Sequence, residues 1–532
     1  MSSAAPTDVS DEVHARRWSI LGIVCLSVFV VIMDGTIVNI ALPSFATDLG
    51  ASTRQLQWIV DAYLLVFTGL LLAFGGLGDR YGRRKALIGG LIAFGATSLV
   101  AGMVTSAGAL IAVRALMGVG AAAIFPATLA ILTNSFRDPK ERAIAIGAWS
   151  GVSGLAVAAG PILGGWLLEH FWWGSVFFVN LPIVAVAVVA VVVLVPESRD
   201  RTAPRLDRIG IALSIVAITV VVFGVIEAPE AGWASLQTLA TLLAGAGLVI
   251  AFVRWELRVA HPMLPVRIFR NLRFSAASVA ITSAFFALFG FIFLITQYFQ
   301  LVRGYGPLEA GLRTIPVATS IAVFSVLSPR IVERIGTTKV VSAGLAFMAI
   351  GFVWVSTASV GTPYLEIVGQ MFFLGAGLGM TTAPATESIM GSLDADKAGV
   401  GSAVNDTTRE LGGTLGVAVV GSVFNSVYVG ALAGGTVFER LPPEAAEATE
   451  ESVGAAGAVA AQAGPFADAY LAEVNDAFLA GLSVACLVVA GVALAGSIFA
   501  ARFLPARAGD RDHDDAGADV PAPAAAADAA PA

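Results

Sequence analysis

Apolar runs long enough to cross a lipid bilayer recur fourteen times along this chain. A spanning helix needs about 20 mainly apolar residues. The runs cover 18–41, 56–75, 86–105, 108–131, 143–168, 175–195, 208–227, 236–255, 274–298, 309–329, 339–359, 365–388, 400–428 and 477–501. In hydrocarbon a backbone must satisfy its own N–H and C=O groups, so runs of this length become helices. They absorb most of the 57% hydrophobic content of the 532 residues and leave no room for a large soluble domain. The first run is too long for a signal-peptide core, and no small-residue cleavage site follows it. The expected fold class is an all-α integral membrane protein with 14 transmembrane helices.

Lys and Arg fix the expected orientation, because cytoplasmic loops carry the excess of cations. With the N-terminus placed inside, 25 of the 31 cations fall on the cytoplasmic side, among them Arg80, Arg83, Arg84 and Lys85. Only Arg54, Arg303, Arg313 and Arg440 fall outside, and Arg114 and Arg409 lie within runs. An even number of spans then puts both termini in the cytoplasm, with the cell membrane as the expected location. The net charge of −7 and the lack of a basic run argue against a nucleic-acid partner. Cys25 and Cys486 share no C-x-x-C spacing and the four His are scattered, so neither a metal nor a bound cofactor is expected.

Two loops repeat each other. Asp79, Arg80, Gly82 and Lys85, between runs two and three, are matched in register by Glu333, Arg334, Gly336 and Lys339 between runs ten and eleven. Phe125-Pro126-Ala127-Thr128 is likewise matched by Ala383-Pro384-Ala385-Thr386. Spans 1–6 and 9–14 therefore read as two copies of one six-helix bundle, with spans 7 and 8 inserted. The expected organisation is a cytoplasmic segment 1–17, a first bundle 18–196, two inserted helices 207–256, a second bundle 273–501, and a disordered cytoplasmic tail 505–532. The second bundle includes an outside loop, 430–476, with eight acids and one base. Its Ala/Glu content favours helix, with Gly464-Pro465 as a break. It reads either as a helical hairpin over the external mouth or as a solvated spacer.

The stretch Gly75-Gly76-Leu77-Gly78-Asp79-Arg80-Tyr81-Gly82-Arg83-Arg84-Lys85 resembles the G-x-L-x-D-R-x-G-R-K loop of the major facilitator superfamily. Asp34 to Pro43, Arg114 to Gly120 and Ala156 to Gly165 resemble the first-, fourth- and fifth-span motifs of its 14-span drug:proton antiporter family. Met117 stands where that family commonly has Gln, and Ala156 where it has Gly. Within that family, Trp58 to Tyr63 and Asn405 to Glu410 are most similar to the quaternary-ammonium-compound exporters. The resemblance runs from about residue 18 to 500. It implies a major facilitator fold, and a conformational role for Gly75, Asp79, Arg80, Gly82, Arg83, Arg84, Gly160, Pro161 and Gly164. The residues allow the same reading, since small side chains let helices meet backbone to backbone and Pro161 removes one helical hydrogen bond.

Ionisable residues inside spans cost about 2.5–3.5 kcal/mol each on the insertion scale and are functional by default. Asp34 lies near the middle of the first run and is the leading proton site. Arg114, in the fourth, is its expected ion partner, in coupling or in a purely structural pair. Asp61, one turn from Trp58, is a candidate for a lipophilic cation through charge and cation–π attraction, or simply an interfacial acid. Asp406 and Glu410 share a helix face, and Asp406 and Arg409 have the spacing of a local salt bridge. Glu410 is then the freer acid. Glu387, toward the cytoplasmic end of span 12, completes the substrate candidates with the aromatic Trp149.

These residues point to a secondary exporter that trades inward protons for outward hydrophobic mono- and divalent cations: quaternary ammonium compounds, dyes and biguanides. No Walker-type loop supplies ATP energy. The expected partners are such substrates, protons and the bilayer, with the monomer as the working unit. Export of another amphiphile, such as an antibiotic, lipid or metabolite, stays open, and a membrane-embedded receptor or enzyme is the alternative from a different class.

Overall fold

The computed structural model of the chain describes residues 16–136, 138–199, 207–260, 262, 264–392, 398–462 and 464–505. Most of the 1–17 segment and nearly all of the 505–532 tail lie outside the described residues. All regular structure among the described residues is helical. The long helices are α1 Arg17–Asp48, α2 Thr53–Tyr81, α3 Arg83–Ala101, α4 Ala107–Ser135, α5 Pro139–His170, α6 Ser175–Leu194, α7 Arg208–Ala231 and α8 Leu236–Glu256. They continue with α9 Leu272–Val302, α10 Pro307–Ile335, α11 Thr337–Val355, α12 Tyr364–Met390 and α13 Ala398–Leu432. Two short helices follow, α14 Pro443–Glu451 and α15 Ala456–Gln462, before α16 Ala467–Phe503.

Each predicted run falls on one of the long helices. Among the described residues, eleven helices are long and apolar enough to cross a membrane, and α2, bent by 51° between Leu71 and Ala73, makes a twelfth. The other two, α5 and α12, are long enough at 32 and 27 residues but are diluted by small and polar residues. Helix starts follow side-chain capping chemistry. Ser52 and Gln55 form a capping box at α2, and Ser106, Asp207, Ser235 and Asn271 cap α4, α7, α8 and α9.

Packing repeats along the chain. Helix α4 packs on α2 and α3, α5 on α1, and α6 on α3; in the same way α12 packs on α10 and α11, α13 on α9, and α16 on α11. The repeated loops also share a backbone conformation. Gly82 and Gly336, with φ of +124° and +86°, each end one helix and start the next. Only glycine adopts such angles without strain. The two sets join reciprocally, α2 against α13 and α5 against α10, while α7 of the inserted pair lies on both α2 and α13.

The cross-links between the sets gather at the end opposite the Asp79–Arg84 loop. Gln57 donates to Ala418 O at 3.4 Å and Ser422 Oγ at 3.5 Å. Gln300 donates to Ile40 O at 2.9 Å, and Glu169 accepts from Leu308 N at 3.2 Å. Arg54 bridges Glu227 and Glu230 of α7.

The 430–476 loop holds the two short helices α14 and α15, followed by a break at Gly464, φ +56°, before α16. It is docked at this same end. A methyl on Gly454 would meet Ala46 of α1. Tyr428 donates to Thr449 O at 3.0 Å, and Thr449 Oγ1 is 2.6 Å from the Tyr470 hydroxyl.

Candidate functional site

A fully buried charge cluster sits where α1, α2, α4 and α6 meet. Asp34 and Arg114 are 0% and 1% exposed, and Arg114 Nη1 donates to Asp34 Oδ2 at 2.5 Å. The other carboxylate oxygen accepts from Asn180 Nδ2 at 2.8 Å, and Asn180 also reaches Ser98 Oγ at 3.3 Å. Arg114 Nε donates to Ile59 O at 3.1 Å, and its guanidinium stands 4.2 Å over the Tyr63 ring. Tyr63 is itself fixed through its hydroxyl, which donates to Val31 O at 3.1 Å. Two charges out of water are stable only with such complete partnering, and removing one partner strands the other. The two residues singled out from sequence are thus in direct contact. Asn180 and Ser98 were missed, although a lone amide in the very apolar α6 is a readable signal.

From Arg114 a row of rings runs across the first bundle. Tyr63, Phe67, Phe125 and Trp149 follow one another at centroid distances of 5.9, 5.8 and 5.2 Å. Trp149 Nε1 donates to Thr128 Oγ1 at 3.3 Å. Trp58 instead turns to the inserted pair, 6.3 Å from Phe223 of α7.

Asp61 is 0% exposed, and neither carboxylate oxygen has a hydrogen-bond partner among the described residues. It lies one turn below Gln57, on the helix that crosses to α13. On α13 the expected Asp406–Arg409 salt bridge does not form. Arg409 turns instead to two neighbouring helices, donating to Thr386 Oγ1 of α12 at 3.2 Å and standing 5.3 Å over Phe285 of α9, because they offer a hydroxyl and a ring face. Asp406 accepts from Asn405 at 3.3 Å. Asp406 and Glu410 are half-buried and Glu387 is exposed. Among the described residues, no group of His, Cys, Asp and Glu could hold a metal ion.

In the Asp79–Arg84 loop, Asp79 accepts from Arg83 Nε at 2.8 Å. Glu197 is the acid at the start of α3, where it accepts from Arg84 N at 3.1 Å. A Cβ on Gly82 would strike the Glu197 carboxylate at 2.6 Å. Arg84 also donates to Val192 O at 2.6 Å, and Arg80 lies 5.8 Å over Tyr81. Gly75 faces Pro126 at ordinary contact distance. In α5, Gly160 and Gly164 let the helix lie against α1: a Cβ on Gly160 would stand 2.9 Å from Ile37 N and 3.0 Å from Met33 O, and one on Gly164 2.5 Å from Ile40. The Pro161 carbonyl faces Gly311 of α10.

The family model of the Major Facilitator Superfamily matches residues 24–417. The chain belongs to this superfamily. It is 36% identical over 502 residues to the multidrug efflux pump LfrA of Mycolicibacterium smegmatis, covering 93% of this chain and 98% of that protein. It is 33% identical over 512 residues to the tetracenomycin C resistance and export protein of Streptomyces glaucescens, with 94% of each covered. The methyl viologen resistance protein SmvA of Salmonella typhimurium is 35% identical over 414 residues, 78% of this chain and 83% of that one. The fold matches an inward-facing, unoccupied bacterial homolog of the human lysosomal transporter Spinster, with a TM-score of 0.67 at 15% identity, covering 93% of this chain and 99% of that one. The chain is therefore a major facilitator transporter, not an enzyme, and these relatives are named for drug efflux or resistance. In such a fold the substrate path lies between the repeats near the bilayer midplane. That is the seam of α2, α5, α10 and α13, with Asp61, Asp406 and Glu410 on its helices.

Proposed function

We propose that this transporter is a proton-coupled exporter of hydrophobic mono- and divalent cations, with 14 crossings of the plasma membrane and both termini in the cytoplasm. Two six-helix bundles, 18–196 and 273–501, move against each other, and α7 and α8 fill the insertion. The observation that carries this reading is Asp61: a buried carboxylate in an apolar wall with nothing paired to it. Such a group needs a proton or a cation as its partner. Asp34 and Arg114 then form the coupling pair. A proton on Asp34 neutralises the acid and releases the guanidinium to its second partner, the Tyr63 face. Asp406 and Glu410 supply counter-charge from the opposite repeat, so a dication meets acids on both sides of the seam. Methyl viologen, in the name of one relative, is an organic dication and fits this preference. The tetracenomycin relative keeps export of another amphiphile as the second reading, favoured by the ring row from Tyr63 to Trp149.

Energised vesicles test the proposal. Dye efflux by wild type should need an imposed pH gradient, and Asp34→Asn should abolish the gradient-driven component while the protein still inserts and folds. Efflux of the Asn variant at the wild-type rate would remove Asp34 from coupling.

A further inference from the structure

The inserted helices α7 and α8 carry a feature outside the seam. On their outer side, toward the ends that hold Asp207 and Glu256, α7 and α8 leave a groove of about 450 Å³. Gly247, Ile250 and Arg254 of α8, with Arg258 in the turn just after it, line the groove, facing Leu213 of α7, with Trp255 beside them. Its inner part is apolar and its outer part holds two exposed arginines one turn apart. Gly247 forms an open floor, since a Cβ there would meet nothing within 4 Å.

The nearby acids are turned away. Asp207 caps Gly210 N at 2.9 Å and accepts from Trp255 Nε1 at 2.7 Å. Glu256 is buried and accepts from Leu264 N at 2.9 Å. Neither Arg254 nor Arg258 makes an ion pair with an acid among the described residues. The surrounding surface is strongly apolar, with Leu239, Leu243 and Ile250 about half or more exposed, as a bilayer-facing wall would be.

The geometry points to a binding site for an anionic phospholipid in this groove, its phosphate on Arg254 and Arg258 and an acyl chain along Ile250, Gly247 and Leu213. Basic pockets between membrane helices hold such headgroups, and an indole at the boundary anchors the rim. Charge selects the occupant: a zwitterionic lipid brings its own cation to two arginines that lack an anion. The site also has leverage on the seam, because Val222, Val225 and Ile226 of α7 pack with Leu65 of α2 and Ala418 of α13. The inference needs only a membrane-spanning fold and is independent of which compound is exported.

The test uses the full-length protein, stripped of lipid in detergent and titrated with phosphatidylglycerol or phosphatidylcholine, with bound lipids counted by native mass spectrometry. Phosphatidylglycerol should bind at least tenfold more tightly than phosphatidylcholine. Arg254→Gln with Arg258→Gln should weaken it by roughly thirtyfold, the effect of two interfacial cations. Gly247→Phe, whose Cβ meets nothing within 4 Å, puts a ring into the groove and keeps both arginines, and it should also abolish the preference. Equal binding of the two lipids by wild type would overturn the proposal. So would an undiminished preference in the Gln pair or in the Phe variant.

Discussion

At the residue scale, the Asp34 cluster depends on a side chain whose part is easily overlooked. Asn180 gives the only hydrogen bond to Asp34 Oδ1 among the described residues, from a helix that is apolar throughout 181–194. Burying a carboxylate oxygen without its donor costs about 1–3 kcal/mol. Asn180→Leu should therefore lower thermal stability in detergent by that amount while leaving membrane insertion unchanged. Asn180→Asp puts a second acid on the pair and should be worse. A melting curve for Asn180→Leu that overlays wild type would mean that Arg114 alone satisfies Asp34.

At the element scale, α5 against α1 is a close helix contact set by glycine. A methyl on Gly160 has nowhere to go, since it strikes the Thr36 hydroxyl first and then the α1 backbone at Ile37 N and Met33 O, which cannot yield as a side-chain tip can. Gly160→Ala should cost about 1–3 kcal/mol through overpacking and slow transport, because α1 carries Asp34. Gly151→Ala, in the same helix with open space around it, is the control and should be neutral or slightly stabilising. Equal melting temperatures for the two variants would refute the contact as the cause. The 430–476 loop has its own titrating clasp in Glu473. Partial burial by itself would raise its pKa, but the N–H groups of Val437 and Phe438 and the Thr436 hydroxyl donate to the carboxylate and hold it below the usual glutamate range. A depressed pKa stabilises the folded clasp above the unfolded value, and that contribution is lost as pH falls through the folded value. An environment-sensitive dye on Gly457→Cys, in open space on α15, should shift its emission as pH drops below the ordinary glutamate range. The shift should vanish in Glu473→Gln, and a shift that persists there would assign it to another group.

At the scale of the whole molecule, the two repeats are tied at one end, by Gln57 to Ala418 and Ser422 and by Gln300 to Ile40. The α2–α13 seam must part there if the substrate path opens to that side. Gln57→Cys with Ser422→Cys should form a disulfide on oxidation, against a background in which Cys25 and Cys486 are buried and unpaired. Transport should stop on oxidation and return on reduction. Undiminished transport with the bridge fully formed would show that the seam stays closed throughout the cycle.

The sequence by itself determined where the long helices lie, that they repeat after an insertion, and that Asp34 and Arg114 are costly residues in need of partners. These properties are local: hydrophobic run length, glycine at a turn, and a charge where lipid allows none. Even Gly82 and Gly336 share their left-handed backbone because the loop that contains them is repeated in sequence. The tertiary structure alone decided who partners whom. Arg114 meets Asp34 across 80 residues of chain and Asn180 meets it across 146. Arg409 chose Thr386 and Phe285 over the nearby Asp406, and Glu197, 113 residues from Arg84, took the start of α3. Those choices depend on how each helix is rotated and how closely it approaches its neighbour. Periodicity in one apolar span cannot encode that, because nearly every face of such a helix is equally hydrophobic.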